Sequence, residues 1–131
     1  ALERLGEQPA VVDVLEPHVV LPQVGQGALA IEASSDAPEV CAMLMRIEDA
    51  GTRRLTDAER AFLAELGGDC DLPAGAHATA TGDQIELRSL LAAEDGTSVL
   101  RDRRTGPVAD DLGRGAARTL LEGGGRALLG R

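Results

Sequence analysis

Lysine is absent from this chain, as are tryptophan and tyrosine, and Phe62 is its single aromatic residue. Without lysine there is no amine for Schiff-base chemistry or pyridoxal attachment, and no phosphate-loop lysine. Without aromatic faces there is no stacking platform of the kind that binds single-stranded nucleic acid. Basic residues number 13 against 22 acidic ones, and the net charge of −9 argues against general binding to nucleic acid or an anionic membrane. No run approaches the roughly 20 apolar residues that a membrane helix needs. Ala1 to Gly6 show neither a basic start nor an apolar stretch, so no signal peptide is expected. The two cysteines, Cys41 and Cys70, lie in segments of different character and do not suggest a disulfide framework. A soluble, cytoplasmic protein is the expectation.

What is present is an aliphatic core and an arginine-only set of cations. Hydrophobic residues make up 44% of the chain, which supports a packed interior built from Leu, Val, Ile and Ala. All 13 basic residues are Arg, whose planar guanidinium suits carboxylates and phosphates. A length of 131 residues fits one ordinary domain, or one domain with a fragment of another.

Ala1 to Gly6 reads as the end of a helix closed by glycine. His18 to Pro22 reads as extended, with Pro22 closing the segment. Ala28 to Glu32 is compatible with a buried strand, although its periodicity also admits a helix. Ser34-Ser35-Asp36 supplies helix-starting chemistry before Pro38, and Val40, Met43, Leu44 and Ile47 recur at helical spacing. A second helix spans about Thr52 to Leu66, with an apolar stripe of Leu55, Ala58, Phe62 and Leu66. Its polar face carries Arg53, Asp57 and Arg60, and Gly67-Gly68 ends it. Glu59 is a misfit beside Leu55 and Phe62, and as a partly buried carboxylate it needs a partner, expected to be an arginine from another element.

After Cys70 the period changes from helical to alternating. Ala76 to Thr81, Gln84 to Leu91 and Ser98 to Arg104 read as strands joined by turns at Gly82-Asp83 and Glu94-Asp95-Gly96. A last helix starts at Asp110-Asp111, turns Leu112, Ala116, Leu120 and Leu121 inward, and breaks at Gly123-Gly124-Gly125. The predicted fold is α+β: a three-stranded antiparallel sheet with helices packed on one face, preceded by a fragment of upstream domains.

Three segments in register carry a resemblance. Leu21-Pro22-Gln23-Val24-Gly25-Gln26-Gly27-Ala28-Leu29-Ala30-Ile31-Glu32, Ala58-Glu59-Arg60-Ala61-Phe62-Leu63 and Gly68-Asp69-Cys70-Asp71-Leu72-Pro73-Ala74-Gly75-Ala76-His77-Ala78 together resemble the C-terminal portion of the porphobilinogen deaminase (hydroxymethylbilane synthase) family. The resemblance implies that residues 1–33 are the tail of a second domain and a strand returning to a first, and that residues 34–131 form the third, cofactor-carrying domain. It implies a transferase that joins porphobilinogen molecules into hydroxymethylbilane with release of ammonia, primed on a dipyrromethane cofactor held by a thioether to Cys70. No catalytic residue is transferred, because the condensation machinery belongs to segments that this chain does not contain. The chain alone is therefore expected to be inactive, and a monomer.

The singled-out residues each have a plainer reading. Cys70 lies on a loop, where sites tend to be found, but Asp69 and Asp71 flank it and disfavour the thiolate, against a redox or protease-like role. Asp69 also departs from the family's glycine at that position. Arg60 is either a guanidinium aimed at a cofactor carboxylate or a solvated partner of Asp57. Gly68 and Asp69 are candidate cofactor contacts. Gly25, Gln26 and Gly27 read as a domain-interface bend or a simple entry to a strand. His18, His77, Cys41 and Cys70 are not paired at zinc spacing, so no metal is expected. Cys41 reads as a buried small hydrophobe. Arg101, Arg103 and Arg104 read as a solvated strand, with carboxylate binding as the alternative. A competing reading of the whole chain is a non-catalytic ligand-binding or interaction module that keeps the third-domain fold.

Overall fold

The computed structural model describes residues 2–68 and 71–130. In chain order the elements are α1 (Leu2–Leu5), α2 (Pro38–Leu44), α3 (Ala50–Leu66), β1 (Ala74–Thr81), β2 (Gln84–Ala92), β3 (Val99–Gly106), α4 (Ala109–Leu120), a wide π turn (Leu121–Gly125) and α5 (Arg126–Leu128). The three strands form one antiparallel sheet in the order β1-β2-β3. Strict alternation along β2 is the clearest sequence signal: Ile85, Leu87, Ser89 and Leu91 are buried, and the residues between them face the opposite side. Gly82-Asp83 joins β1 to β2, with Thr81 opposite Gln84. The β2–β3 turn is held by Asp95, whose carboxylate accepts from the Thr97 amide and hydroxyl at 3.0 and 2.7 Å.

Helices α3 and α4 cover one sheet face. The core joins Ala58, Phe62 and Leu66 of α3 with Leu112, Ala116, Ala117 and Leu120 of α4, over Ala76, Ala78, Ile85, Leu87 and Leu91 of the sheet. α3 starts at Asp49, whose carboxylate accepts from the Thr52 amide at 2.6 Å and is held below the usual aspartate range by that bond. The two helices cross closely because residue 113 is glycine. A Cβ there would meet Ala61 Cβ and the Phe62 nitrogen, both at 2.7 Å, and would press on the Ala58 carbonyl. Beside this crossing Glu65 accepts from Arg118 Nε at 2.8 Å and Arg114 at 3.1 Å. Those hydrogen bonds, Arg118 first, hold its carboxyl below the usual range.

The α+β reading holds, and so do the three strands and the two covering helices. Upstream of α3 several expectations change. His18 to Val20 is a turn rather than an extended segment, with the Val19 and Val20 amides donating to Glu16 O at 2.8 and 3.1 Å. Ala28 to Glu32 is neither strand nor helix. Leu29 is 97% exposed, since no neighbouring strand offers a ladder. α2 is short and buries nothing: Val40, Met43 and Ile47 are exposed. Ser34 and Asp36 do not cap α2, as Ser34 Oγ accepts from the Asp36 amide instead. Cys41 is half-buried rather than buried, its thiol donating to Ser34 O at 3.5 Å.

Two outcomes follow from the α3–α4 contact. Gly113→Ala is expected to cost about 1–3 kcal/mol in urea unfolding, overpacking outweighing the better helix propensity of alanine; unchanged or higher stability would contradict the close crossing. Glu65 has a lowered carboxyl pKa in the folded state, so its contribution is present above the unfolded glutamate value and is lost as pH falls through the folded one. Glu65→Gln should therefore flatten the loss of stability below about pH 4.3, the ordinary glutamate value, in acid titrations followed by circular dichroism.

Candidate functional site

Two backbone devices at opposite sides of α3 define the candidate site. The first is its C-terminal end. Gly67 and Gly68 both take left-handed backbone, at φ 119° and 70°. The Gly68 amide donates to Leu63 O at 2.9 Å and the Gly67 amide to Ala64 O at 3.1 Å, closing the last turn in a Schellman arrangement. An L side chain is disfavoured at each of these angles, which explains the glycine pair. The chain resumes at Asp71 and enters β1 at Ala74; Gly68 and Asp71 are both exposed. The candidate residues Asp69 and Cys70 lie outside the described residues.

Arg60 is exposed on α3. Arg60 and Ala64, one turn apart, are both exposed and lie on one stripe of α3. The alternative reading of Arg60 as a partner of Asp57 does not hold: Asp57 is 3.8 Å from Arg53, and Arg60 has no ion pair or hydrogen bond among the described residues. Its guanidinium is exposed on α3, six residues before the helix ends at Leu66.

The second device is Glu59, 7% exposed on the apolar side of the same helix. Its partner is not the expected arginine but two backbone amides. Oε1 accepts from the Ala78 amide and Oε2 from the Gly25 amide, each at 2.8 Å. His77 Nδ1 lies 3.9 Å from Oε1. Backbone amides serve here because β1 is an edge strand whose outward N–H groups need acceptors. One carboxylate therefore seals the sheet edge and fastens the Gly25-Gln26-Gly27 bend to it.

That bend is a tight turn. Gly25 is left-handed at φ 68°, the Gln26 amide donates to Gln23 O at 3.2 Å, and the Ala28 amide donates to Gly25 O at 3.0 Å. Between the turn, α3 and β1 lies a cleft of about 360 Å³ whose walls include Pro22, Gln26, Leu55, Thr56 and His77. The structure thus brings Gly25, Gln26 and Gly27 against Glu59 and β1, and sets Arg60 on the exposed side of α3 and Gly68 just past its end. Sequence reasoning flagged Glu59 by its place on an apolar stripe. It could not supply the acceptor's partners, because backbone amides leave no mark in a sequence.

Comparison with known proteins follows this geometry. The family model described as the C-terminal domain of porphobilinogen deaminase matches residues 54–122, and the one described as its dipyromethane cofactor binding domain matches residues 1–42. Porphobilinogen deaminase of Roseiflexus sp. (strain RS-1) is 44% identical over 130 residues, covering 98% of this chain and 43% of that protein. That of Bordetella parapertussis is 45% identical over 130 residues, covering 98% of this chain and 41% of that protein. That of Exiguobacterium sp. is 42% identical over 129 residues, covering 98% and 42%. The chain spans less than half the length of these relatives.

Removing the Glu59 carboxylate leaves two amides without their acceptor, one of them buried. Glu59→Ala is expected to cost about 3 kcal/mol, and Glu59→Gln, which keeps one acceptor oxygen, roughly half of that. Hydrogen exchange at the Gly25 and Ala78 amides should accelerate in both variants. Protection unchanged at these two amides would show that the carboxylate does not hold them.

Proposed function

The chain belongs to the porphobilinogen deaminase family, and we propose from this that it is the C-terminal part of a hydroxymethylbilane synthase, a cytoplasmic transferase of tetrapyrrole and haem biosynthesis. The whole protein joins four porphobilinogen molecules head to tail, releases ammonia, and starts the growing chain on a dipyrromethane primer attached to Cys70. Residues 1–33 are the tail of the second domain and the strand that returns to the first; residues 34–131 are the domain that carries the primer. Support for this division comes from the exposed, unpaired segment around Leu29 and Ile31, whose apolar side chains have no strand beside them in this chain.

The residues present suit such a group. When bound, the dipyrromethane supplies a pyrrole end on which condensation begins. Cys70 holds it through a single C–S bond to a methylene carbon, the thiol proton leaving with the displaced group. A thiol flanked by Asp69 and Asp71 is a poor thiolate, which fits an attachment made once rather than a nucleophile that must act in every cycle. Gly68 turns the chain out of α3, and Arg60, without an ion pair among the described residues, offers a bidentate donor to a pyrrole carboxylate. Gly25, Gln26 and Gly27 form the interface toward the first domain. The observation that carries the reading is the exposed ending of α3, where Gly68 and Asp71 bracket the cysteine in sequence, with the exposed Arg60, which has no ion pair among the described residues, on the same helix.

The test is the intact mass of the full-length protein with and without Cys70→Ser, joined to an acid aldehyde colour reaction for dipyrromethane. Wild type should carry the added mass and the colour, the variant neither, and activity should be lost with them. The 131-residue chain alone should form no hydroxymethylbilane from porphobilinogen. A full-length wild type that turns over substrate with an unmodified Cys70 would sink the assignment.

A further inference from the structure

The sheet face turned away from the helices carries a concentration of positive charge that the ion pairs do not neutralise. Arg88 on β2 stands directly opposite Arg103 on β3, and Arg101 is two residues from Arg103 along the same face. Like charges opposite one another in a sheet are unfavourable unless something compensates them. Glu86 compensates two of the three: its Oε1 accepts from Arg88 Nε at 2.9 Å and its Oε2 from Arg103 at 2.7 Å, so each oxygen is engaged. Arg104 points to the other face and pairs with Asp102 at 2.7 Å. Arg101 is left with no ion pair or hydrogen bond among the described residues.

This face is also concave. The turn at residues 17–20 and the following Leu21 lie over the sheet, and Gly75 on β1 lets them approach: a Cβ there would meet the Pro22 carbonyl at 2.9 Å and the Leu21 carbonyl at 3.3 Å. The result is a cleft of about 290 Å³ with Pro17, His18 and Leu21 on one side and Arg88, Ser89, Arg101, Asp102 and Arg103 on the other, the Asp102 carboxylate being taken by Arg104. Partial shielding from water by Pro17 and Leu21 strengthens the attraction of the Arg101 guanidinium for an anion.

We propose that this cleft is an oxyanion site in which Arg101, assisted by Arg88, takes a carboxylate or phosphate group, with His18 at its mouth. The fork of the guanidinium matches both groups. The site stands apart from the reading of Cys70 and survives or fails without it.

Titration of the 131-residue chain at low ionic strength with inorganic phosphate, and separately with succinate, tests the site by amide chemical shifts. Saturable shifts confined to residues near 88–89 and 100–103 are expected from at least one of the two anions, and the arm that saturates identifies the preferred group. Arg101→Gln should weaken that binding about tenfold, as loss of a charge-assisted hydrogen bond implies. Arg126→Gln, an exposed arginine elsewhere, should leave it unchanged. The unfolding midpoint of Arg101→Gln should match wild type, which separates lost binding from lost folding. The proposal is overturned if chloride at equal ionic strength produces the same shifts, if neither anion saturates, or if Arg101→Gln binds as tightly as wild type.

Discussion

One carboxylate decides how the upstream segment meets the rest of the molecule. Glu59 occupies a position that the helical period of α3 reserves for an apolar residue, and it is tolerated there because both its oxygens accept backbone amides at 2.8 Å. Ala78 contributes the outward N–H of an edge strand, and Gly25 the N–H of a left-handed turn. Take the carboxylate away and the Ala78 amide loses its acceptor, the turn loses its hydrogen bond to α3, and the 360 Å³ cleft loses part of a wall. Neither hydrophobic packing nor the strand ladder can replace it, since both amides point away from the sheet's own hydrogen bonds.

The arginine-only composition acts in the same currency of shared acceptors. Glu65 serves Arg114 and Arg118, and Glu86 serves Arg88 and Arg103. Each carboxylate is held below its ordinary pKa, by Arg118 before Arg114 in one case and by Arg103 before Arg88 in the other. A planar fork lets one carboxylate meet two cations edge-on, which a compact ammonium does less well. These shared pairs fix α3 to α4 and β2 to β3. Arg60 on the exposed side of α3 and Arg101 on the open sheet face are among the arginines without such a pair among the described residues.

What could be read from the sequence was whatever has a period or a turn signal of its own. The alternation in β2, the glycine-bearing turns at residues 82 and 96, and the apolar stripes of α3 and α4 all announced themselves, and each lies where the sequence places it. The failures share a cause: they concern partners rather than patterns. Ala28 to Glu32 has strand-like residues but no strand beside it; Val40, Met43 and Ile47 have helical spacing but nothing to pack against. Glu59 was visibly anomalous, yet its partners were amides. Arg101 and Arg103 were visible as a run, but the register that adds Arg88 and sends Arg104 to the other face appears only when the strands pair.

The distribution of burial then sets an order of stability along the chain. Apart from Val24, which packs against its margin, the core draws on residues from Leu55 to Leu129 alone. Among the restraints on the upstream segment are Val24, the Gly25–Glu59 bond, the approach of Leu21 and Pro22 to Gly75, and a polar contact of Gln23. A single charge-assisted hydrogen bond contributes about 1.5–3 kcal/mol and one partly buried valine about the same or less. That sum is far below what the α3–sheet–α4 unit gains from its dozen buried apolar residues. Local opening must therefore begin upstream, with the turn at Gly25 leaving the β1 edge before any strand or helix separates. The two clefts open with it, because each has one wall from residues 17–28 and the other from the rigid unit. Occupation of either cleft would accordingly favour the docked arrangement, and the strength of that coupling is bounded by the small free energy of docking itself.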